Sequence, residues 1–333
     1  MDCICPVYYS PLYYSSSPDD PYQDMPSTKS IKQRIKSVKS TAQITKAMEV
    51  VSATKMRKSQ QFALAARPYA VASLEMLQNI LTRTEKLPPL LTTREVKHAL
   101  LLVVTSDKGL AGALNANVIK KAEQWIEARR LEGVSFSLIT VGKKARDYFL
   151  RRDIPIRESF TGFGDFTTFS QTLPIAQILL KGFQDGQWDS IDAVSMNFRT
   201  TLVQEAVVKK ILPATPEGLE DAVRGILPEA GRFAASKLPR ADKSPYRYEY
   251  VLEPSPEILL AAIVPDLIRM HLHHIILEAN ASEHSARMVA MKSASDNARD
   301  LITSLTRGYN KVRQAGITRE LTEITAGKEA LEE

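Results

Sequence analysis

A repeat near the end of the chain constrains its fold more than any other feature. In residues 286–327, ARMVAMKSASDNARDLITSLTRGYNKVRQAGITRELTEITAG, an apolar or small residue recurs at alternating steps of three and four: Met291, Ala294, Ala298, Leu301, Leu305, Gly308, Val312 and Ala315. This is a heptad seam held for about four heptads, and it predicts a partner helix. Its residues are small, and Ser293, Ala294, Ser295 and Ala298 would let that partner come close. Beyond Ala315 the register fails, because Ile317, Leu321 and Ile324 sit one face over. The partner is expected to end there and the tip to meet something else.

The expected partner lies at the other end of the chain. Residues 30–66 contain neither Pro nor Gly. Ile31, Ile35, Val38 and Ala42 form one stripe, and Ile44, Met48 and Val51 continue it after a one-residue slip. A drifting stripe fits a helix pair that is not a uniform zipper. At 1.5 Å per residue the segment makes a rod of roughly 55 Å, and the C-terminal helix from Ser255 would reach roughly 100 Å if unbroken. Typical globular helices run three or four turns, so an extended two-helix rod is expected rather than a compact bundle.

Between the two helices the pattern changes. KHALLLVVTS (97–106) is a continuous apolar run, as in a strand buried on both faces. VSFSLITVG (134–142) and SIDAVSMNF (190–198) are two more strands, and LVQEAVVKKILP (202–213) another, placed at the edge. Helices are expected over 113–130, 143–152 and 168–186. Strands alternating with helices give a parallel sheet with right-handed crossovers. Residues 214–245 read as a peripheral loop insertion, and YRYEYVLE (246–253) as a last strand. Ser255 then caps the C-terminal helix with Pro256 at its first position.

The strand-to-helix turn SDKGLAGALN (106–115) is where catalysis would be sought. Its glycines are spaced G-x-x-G, which is neither the dinucleotide fingerprint nor the Walker A loop. A packing turn is the reading preferred over a nucleotide site. His271, His273, His274 and His284 include a pair three apart, a spacing metals can use, but there is no H-E-x-x-H motif and no metal is expected. Nor is any cofactor.

The two cysteines, Cys3 and Cys5, both lie near the N-terminus, which excludes a disulfide scaffold and fits a reducing compartment. No apolar run reads as a membrane span, so any membrane association is expected through a partner. Residues 1–24 carry four prolines amid Ser and Tyr and read as a disordered extension, with Met25 a candidate start. Residues 29–58 hold nine Lys/Arg against one acid, a local net charge of +8. A DNA-binding helix must be weighed against a solvated face. The segment lacks interleaved aromatics and its cations fall on several faces.

ITKAMEVVSATKMRKSQ (44–60) with ARPYA (66–70), then SDKGLAGALN, then ARMVAMKSASDNARDLI (286–302) with YNKVRQAGITRELTEI (309–324), resemble the γ subunits of bacterial-type F-type ATP synthases. The resemblance covers roughly residues 27–327. In the turn, Ala111 and Ala113 stand where the family commonly has Cys and Gly. The cysteine pair of the chloroplast regulatory insertion is absent from 214–245.

The resemblance implies an α/β fold class: a long antiparallel coiled coil of the N- and C-terminal helices plus a Rossmann-like domain with a mostly parallel sheet. The expected divisions are a 1–26 extension, a 27–86 shaft helix, a 95–253 α/β domain and a 255–333 shaft helix. It implies a non-catalytic central-stalk rotor, coupling proton flow to ATP synthesis or hydrolysis at the β subunits. The α and β subunits, the ε subunit and the membrane c-ring are its partners, at the cytoplasmic face of the cell membrane, and nucleic acid is not one. A third reading of the basic N-terminal helix follows, a shaft near acidic β-subunit loops. Met48, Arg287, Gln314, Thr318 and Glu320 match family positions that bear on rotor contact and coupling. Met291, Ala294, Ala298, Leu301, Leu305 and Val312 are the expected shaft seam. Two readings from other classes stand beside it: a nucleotide-binding α/β enzyme, and a basic coiled-coil nucleic-acid binder.

Overall fold

The computed structural model describes the chain apart from residues 1–26, 66–71, 73–75, 78, 82, 85–86, 164, 216–217, 219–252 and 333. The side chains of 63–65, 329–330 and 332 are likewise not described. The chain divides into two units, Met1–Ala42 with Asn297–Glu333, and Gln43–Asp296.

In the first unit, the start of α1 (Thr28–Ala65) and the end of α5 (Pro256–Glu332) supply the described residues. Ser27 caps α1, its hydroxyl accepting from the Ser30 N–H at 3.2 Å. The first predicted stripe faces inward: Ile31 is buried, and Ile35, Val38 and Ala42 are half-buried.

The second unit holds a five-stranded sheet in the order β3-β2-β1-β4-β5. The strands are β1 (His98–Val104), β2 (Ser135–Val141), β3 (Ile156–Phe160), β4 (Ser190–Phe198) and β5 (Gln204–Leu212). β1, β2, β3 and β4 run parallel, while β5 returns antiparallel along β4. The helices are α2 (Leu114–Leu131), α3 (Lys143–Leu150) and α4 (Phe169–Gln184), together with 43–65 of α1 and 256–296 of α5.

Two-residue alternation along β1 builds a core on each side of the sheet. Ala99, Leu101 and Val103 pack in one cluster with Val118, Ala122 and Trp125 of α2 and Phe149 of α3. Leu100, Leu102 and Val104 pack in the other, with Ile175, Leu179 and Phe183 of α4 and Leu260, Val264, Leu272 and Ile276 of α5. That second cluster explains an apolar stretch of α5 which the sequence reading passed over. Contrary to the expectation of no membrane-length run, a window of α5 is long and apolar enough, with mean hydropathy 1.3. Its leucines and isoleucines serve the domain core instead.

Two further differences from the sequence reading have simple causes. β3 was not expected: IRESF is short, polar and at the sheet edge, where charge protects an unpaired strand. The continuation of the α1 stripe is wrong, because Ile44 and Val51 are 58% and 48% exposed while Thr45, Ser52, Met56 and Ser59 are buried. Hydrophobic periodicity alone does not say which face of a helix turns inward. α1 is described over Thr28–Ala65; the rest of the expected 27–86 helix lies partly, and the expected strand at 246–253 almost entirely, outside the described residues.

Candidate functional site

The carboxyl ends of β1 and β4 form the switch point of this sheet, the place where α/β folds of this order take ligands. Here that crevice is occupied by the chain's own α5. Ser282 Oγ donates to Met196 O at 3.5 Å, beside the end of β4. Ser285 Oγ donates to Thr201 O at 2.8 Å. Arg287 donates from Nε and Nη2 to the carbonyl of Gly109, in the turn after β1, at 3.3 and 3.1 Å.

The turn itself spends its polar groups internally. Ser106 N–H donates to Asn115 Oδ1 at 3.0 Å. Asp107 accepts from the amides of Lys143 and Gly162 at 2.9 and 2.8 Å, so a carboxylate already sits where a phosphate would be held at the start of α3. Gly142 enters α3 at φ +95°, and a Cβ there would lie 2.1 Å from Thr105 O. A cavity of about 250 Å³ remains beside the turn, lined largely by apolar groups such as Ala111, Leu114, Met196, Leu202 and Val289.

Around Arg287 lies a cluster of charge. Arg287, buried, and Glu283, half-buried, form an ion pair one helical turn apart. Burial raises the Glu283 carboxyl above its usual range, against the pull of Arg287 and with help from Asp165 and Asp107. His284 is buried, with Nε2 3.4 Å from Asp165 O and 4.0 Å from Asp165 Oδ1. Burial holds its imidazole below the ordinary range although the Asp165 carbonyl opposes this. Asp165 also receives Lys55 Nζ at 2.6 Å and Lys108 Nζ at 3.9 Å. Burial would raise the Asp165 carboxyl, but the cations around it win and it lies low.

A second cluster joins β5 to α5. Glu278, itself buried, accepts Lys209 Nζ at 2.5 Å and stands 3.6 Å from His274 Nε2. Desolvation pushes His271 to about 3 and His273 to about 4, so both are neutral near pH 7. Among the described residues no three His, Cys, Asp or Glu side chains converge as metal ligands.

A family model described as ATP synthase matches residues 27–331. The ATP synthase gamma chain of Chloroflexus aurantiacus is 39% identical over 311 residues, 92% of this chain and 99% of the relative. That of Roseiflexus castenholzii is 40% identical over 312 residues, 93% of this chain and 100% of the relative. The chain belongs to the ATP synthase gamma-chain family. Among solved structures, a chain of the Euglena gracilis mitochondrial ATP synthase (OSCP/F1/c-ring) matches with a TM-score of 0.58 at 20% identity, covering 91% of this chain and 94% of that one. A chain of the Tetrahymena thermophila central stalk and c-ring gives 0.53 at 23%, covering 76% and 99%. These two likenesses show the fold.

Membership gives the polar positions their context, and the structure places them in two settings. Gln314, Thr318 and Glu320 are exposed on α5 in the first unit, Thr318 Oγ1 donating to Gln314 O at 3.0 Å. Met48 is half-buried on α1, and Arg287 is buried in the second unit, turned to the Gly109 turn rather than to solvent. Of the seam residues, Met291 and Ala298 are buried, Ala294, Leu305 and Val312 half-buried, and Leu301 is 40% exposed. The Asp165 hub was not foreseen. Lys55 and Asp165 stand 110 positions apart, and no sequence spacing signals their meeting.

Proposed function

We propose that this chain is the central-stalk rotor of a proton-translocating F-type ATP synthase, at the cytoplasmic face of the cell membrane. The observation that carries the reading is a pair of long helices, α1 and α5, attached to an α/β domain whose switch-point crevice is filled by α5. Such a domain serves as a mount for helices, and the space left beside its turn is lined largely by apolar groups. As a member of the gamma-chain family the chain is a non-catalytic part; ATP is made or split on the β subunits, with the α subunits, the ε subunit and the c-ring as its other partners.

A rotor works by differential contact. Each angle of an asymmetric shaft favours a different conformation at each surrounding site, so rotation becomes a shift among nucleotide affinities. The shaft surface suits that task. The N-terminal helix has a local net charge of +8 over residues 29–58 and exposes Ile44, Val50 and Val51. The last turns of α5 expose Ile317, Leu321 and Ile324. Exposed apolar side chains in rows mark surfaces that meet other molecules.

In this reading Met48, Gln314, Thr318 and Glu320 face the surrounding subunits. Arg287 acts from inside, by fixing α5 on the turn after β1. The test is reconstitution. The chain, mixed with α and β subunits, should restore ATP hydrolysis, and with a membrane sector in vesicles it should restore ATP-driven proton uptake. Failure to co-assemble with α and β subunits would overturn the proposal.

A further inference from the structure

We propose that Asp165 is a positioning residue for torque transfer, latching α1 to the α/β domain through Lys55 while His284 ties α5 to the same aspartate. The inference rests on the rotor reading above.

Three consecutive residues of the loop between β3 and α4 each reach toward a shaft helix. Asp165 accepts from Lys55 Nζ of α1 at 2.6 Å, and its carbonyl lies 3.4 Å from His284 Nε2 of α5. The Phe166 ring packs edge-on against Phe62 of α1, centroids 6.0 Å apart, and Lys58 Nζ lies 4.5 Å from its centre. Thr167 Oγ1, buried, accepts from Asn280 Nδ2 of α5 at 2.8 Å. The loop is in turn tied to the sheet, since Gly162 N–H donates to Asp107 Oδ2 at 2.8 Å.

The α1 residues that meet this loop are spaced to do so. Lys55, Lys58 and Phe62 stand at i, i+3 and i+7, one face of a helix. The buried face of α1 is different in kind: Thr45, Ser52, Met56 and Ser59 carry no charge and no ring. An ion pair and a ring contact have direction, whereas apolar burial is non-directional. Load applied to α1 therefore reaches the sheet through Asp165 and Phe166.

The electrostatics keep the latch set. The groups facing Asp165 are Lys55 from α1, Lys108 from the turn after β1 and His284 from α5, with Arg287, Glu283 and Asp107 beyond them. Cations outweigh anions in that first ring, so the carboxylate stays charged at neutral pH.

The experiment uses the assembled complex in vesicles. Asp165→Asn, Asp165→Glu, Lys55→Gln and the double variant Asp165→Asn/Lys55→Gln are compared for assembly, ATP turnover and protons moved per ATP. The expected result is that Asp165→Asn and Lys55→Gln assemble and turn over ATP, while protons moved per ATP fall about two- to fivefold, the size suited to a partly exposed pair. Asp165→Glu should restore coupling, and the double variant should lose no more than either single one, as paired residues do. Unchanged coupling in Asp165→Asn, or additive losses in the double variant, would overturn the latch. If Asp165→Asn fails to assemble, the Lys55→Gln and Asp165→Glu arms decide by the same criteria. Should the unaltered chain itself fail to assemble with α and β subunits, it is the rotor reading that fails and not the latch.

Discussion

Arg287 gives two guanidinium nitrogens to one oxygen, the carbonyl of Gly109, at 3.3 and 3.1 Å, while its other side meets the half-buried carboxylate of Glu283. A carbonyl that ends a turn after the central strand is thereby joined to a helix residue 178 positions away. Replacing Arg287 by Ala would strand Glu283 without its cation; removing one partner of a fully buried pair costs about 3–5 kcal/mol, and the half-buried Glu283 brings the expected loss below that. Arg287→Lys keeps the charge and loses the fork, so it should recover only part. Thermal melting of the full chain should rank the unaltered protein above Arg287→Lys, and Arg287→Lys above Arg287→Ala. Equal melting for all three would show that the contact adds nothing to stability.

Gly182 tests the packing behind α4. A Cβ at this position would lie 1.9 Å from Trp188 Cζ3, and Trp188 is fully buried. Overpacking of this kind costs about 1–3 kcal/mol, and here the obstacle is a rigid ring rather than a flexible tip. Gly182→Ala should lower the denaturant midpoint clearly. Gly186→Ala tests something else, the strain of a left-handed glycine, since a Cβ there meets nothing within 4 Å. The two variants separate a steric clash from a backbone penalty.

The histidines of α5 give a pH dependence whose sign is set. Burial, with His274 nearby, lowers His273 from 6.5 to about 4 in the folded chain. The unfolded chain therefore binds a proton as pH falls through about 6.5, and the folded one does not until about pH 4. Stability from this group is present in full above about 6.5 and declines as pH drops toward 4. His273→Gln, which cannot titrate, should flatten that part of a melting-temperature profile. A profile with the same slope in both proteins would rule the group out.

Leu301→Asp probes the shaft. Leu301 keeps 40% of its surface exposed, so its loss costs less than full burial of a leucine, about 1–2 kcal/mol. Ala298, buried beside it on the seam, should tolerate Asp worse despite being smaller, because its carboxylate would lie away from water. Protons moved per ATP in the assembled complex, measured beside melting of the isolated chain, should fall in both variants, and further in Ala298→Asp.

How far the structure could be read in advance depended on the range of the interactions involved. β1 and β4 are apolar runs of the expected length, and α5 follows Ser255 and Pro256 as a local start signal says it should, with Ile258 N–H donating to Ser255 Oγ at 3.4 Å. Local signals misled along α1. Ile44 and Val51 looked like core positions and are exposed, while Thr45 and Ser52 are buried. β3 escaped notice because an edge strand has little to bury. Arg287 stood out through family resemblance, but its contact with Gly109 did not, and Asp165 did not stand out at all. Both belong to contacts between distant segments, which propensity and periodicity do not register.

The far end of α5 carries a consequence for how such a chain must be produced. Exposure of its apolar side chains climbs from 50% at Ile317 to 88% at Leu331. A lone copy would present these groups to every other protein in the cell, and surfaces of that sort invite clumping. Supply matched to that of the proteins that cover them keeps orphan copies scarce. An excess made without those proteins is expected to end in aggregates or in proteolysis that starts at this tip.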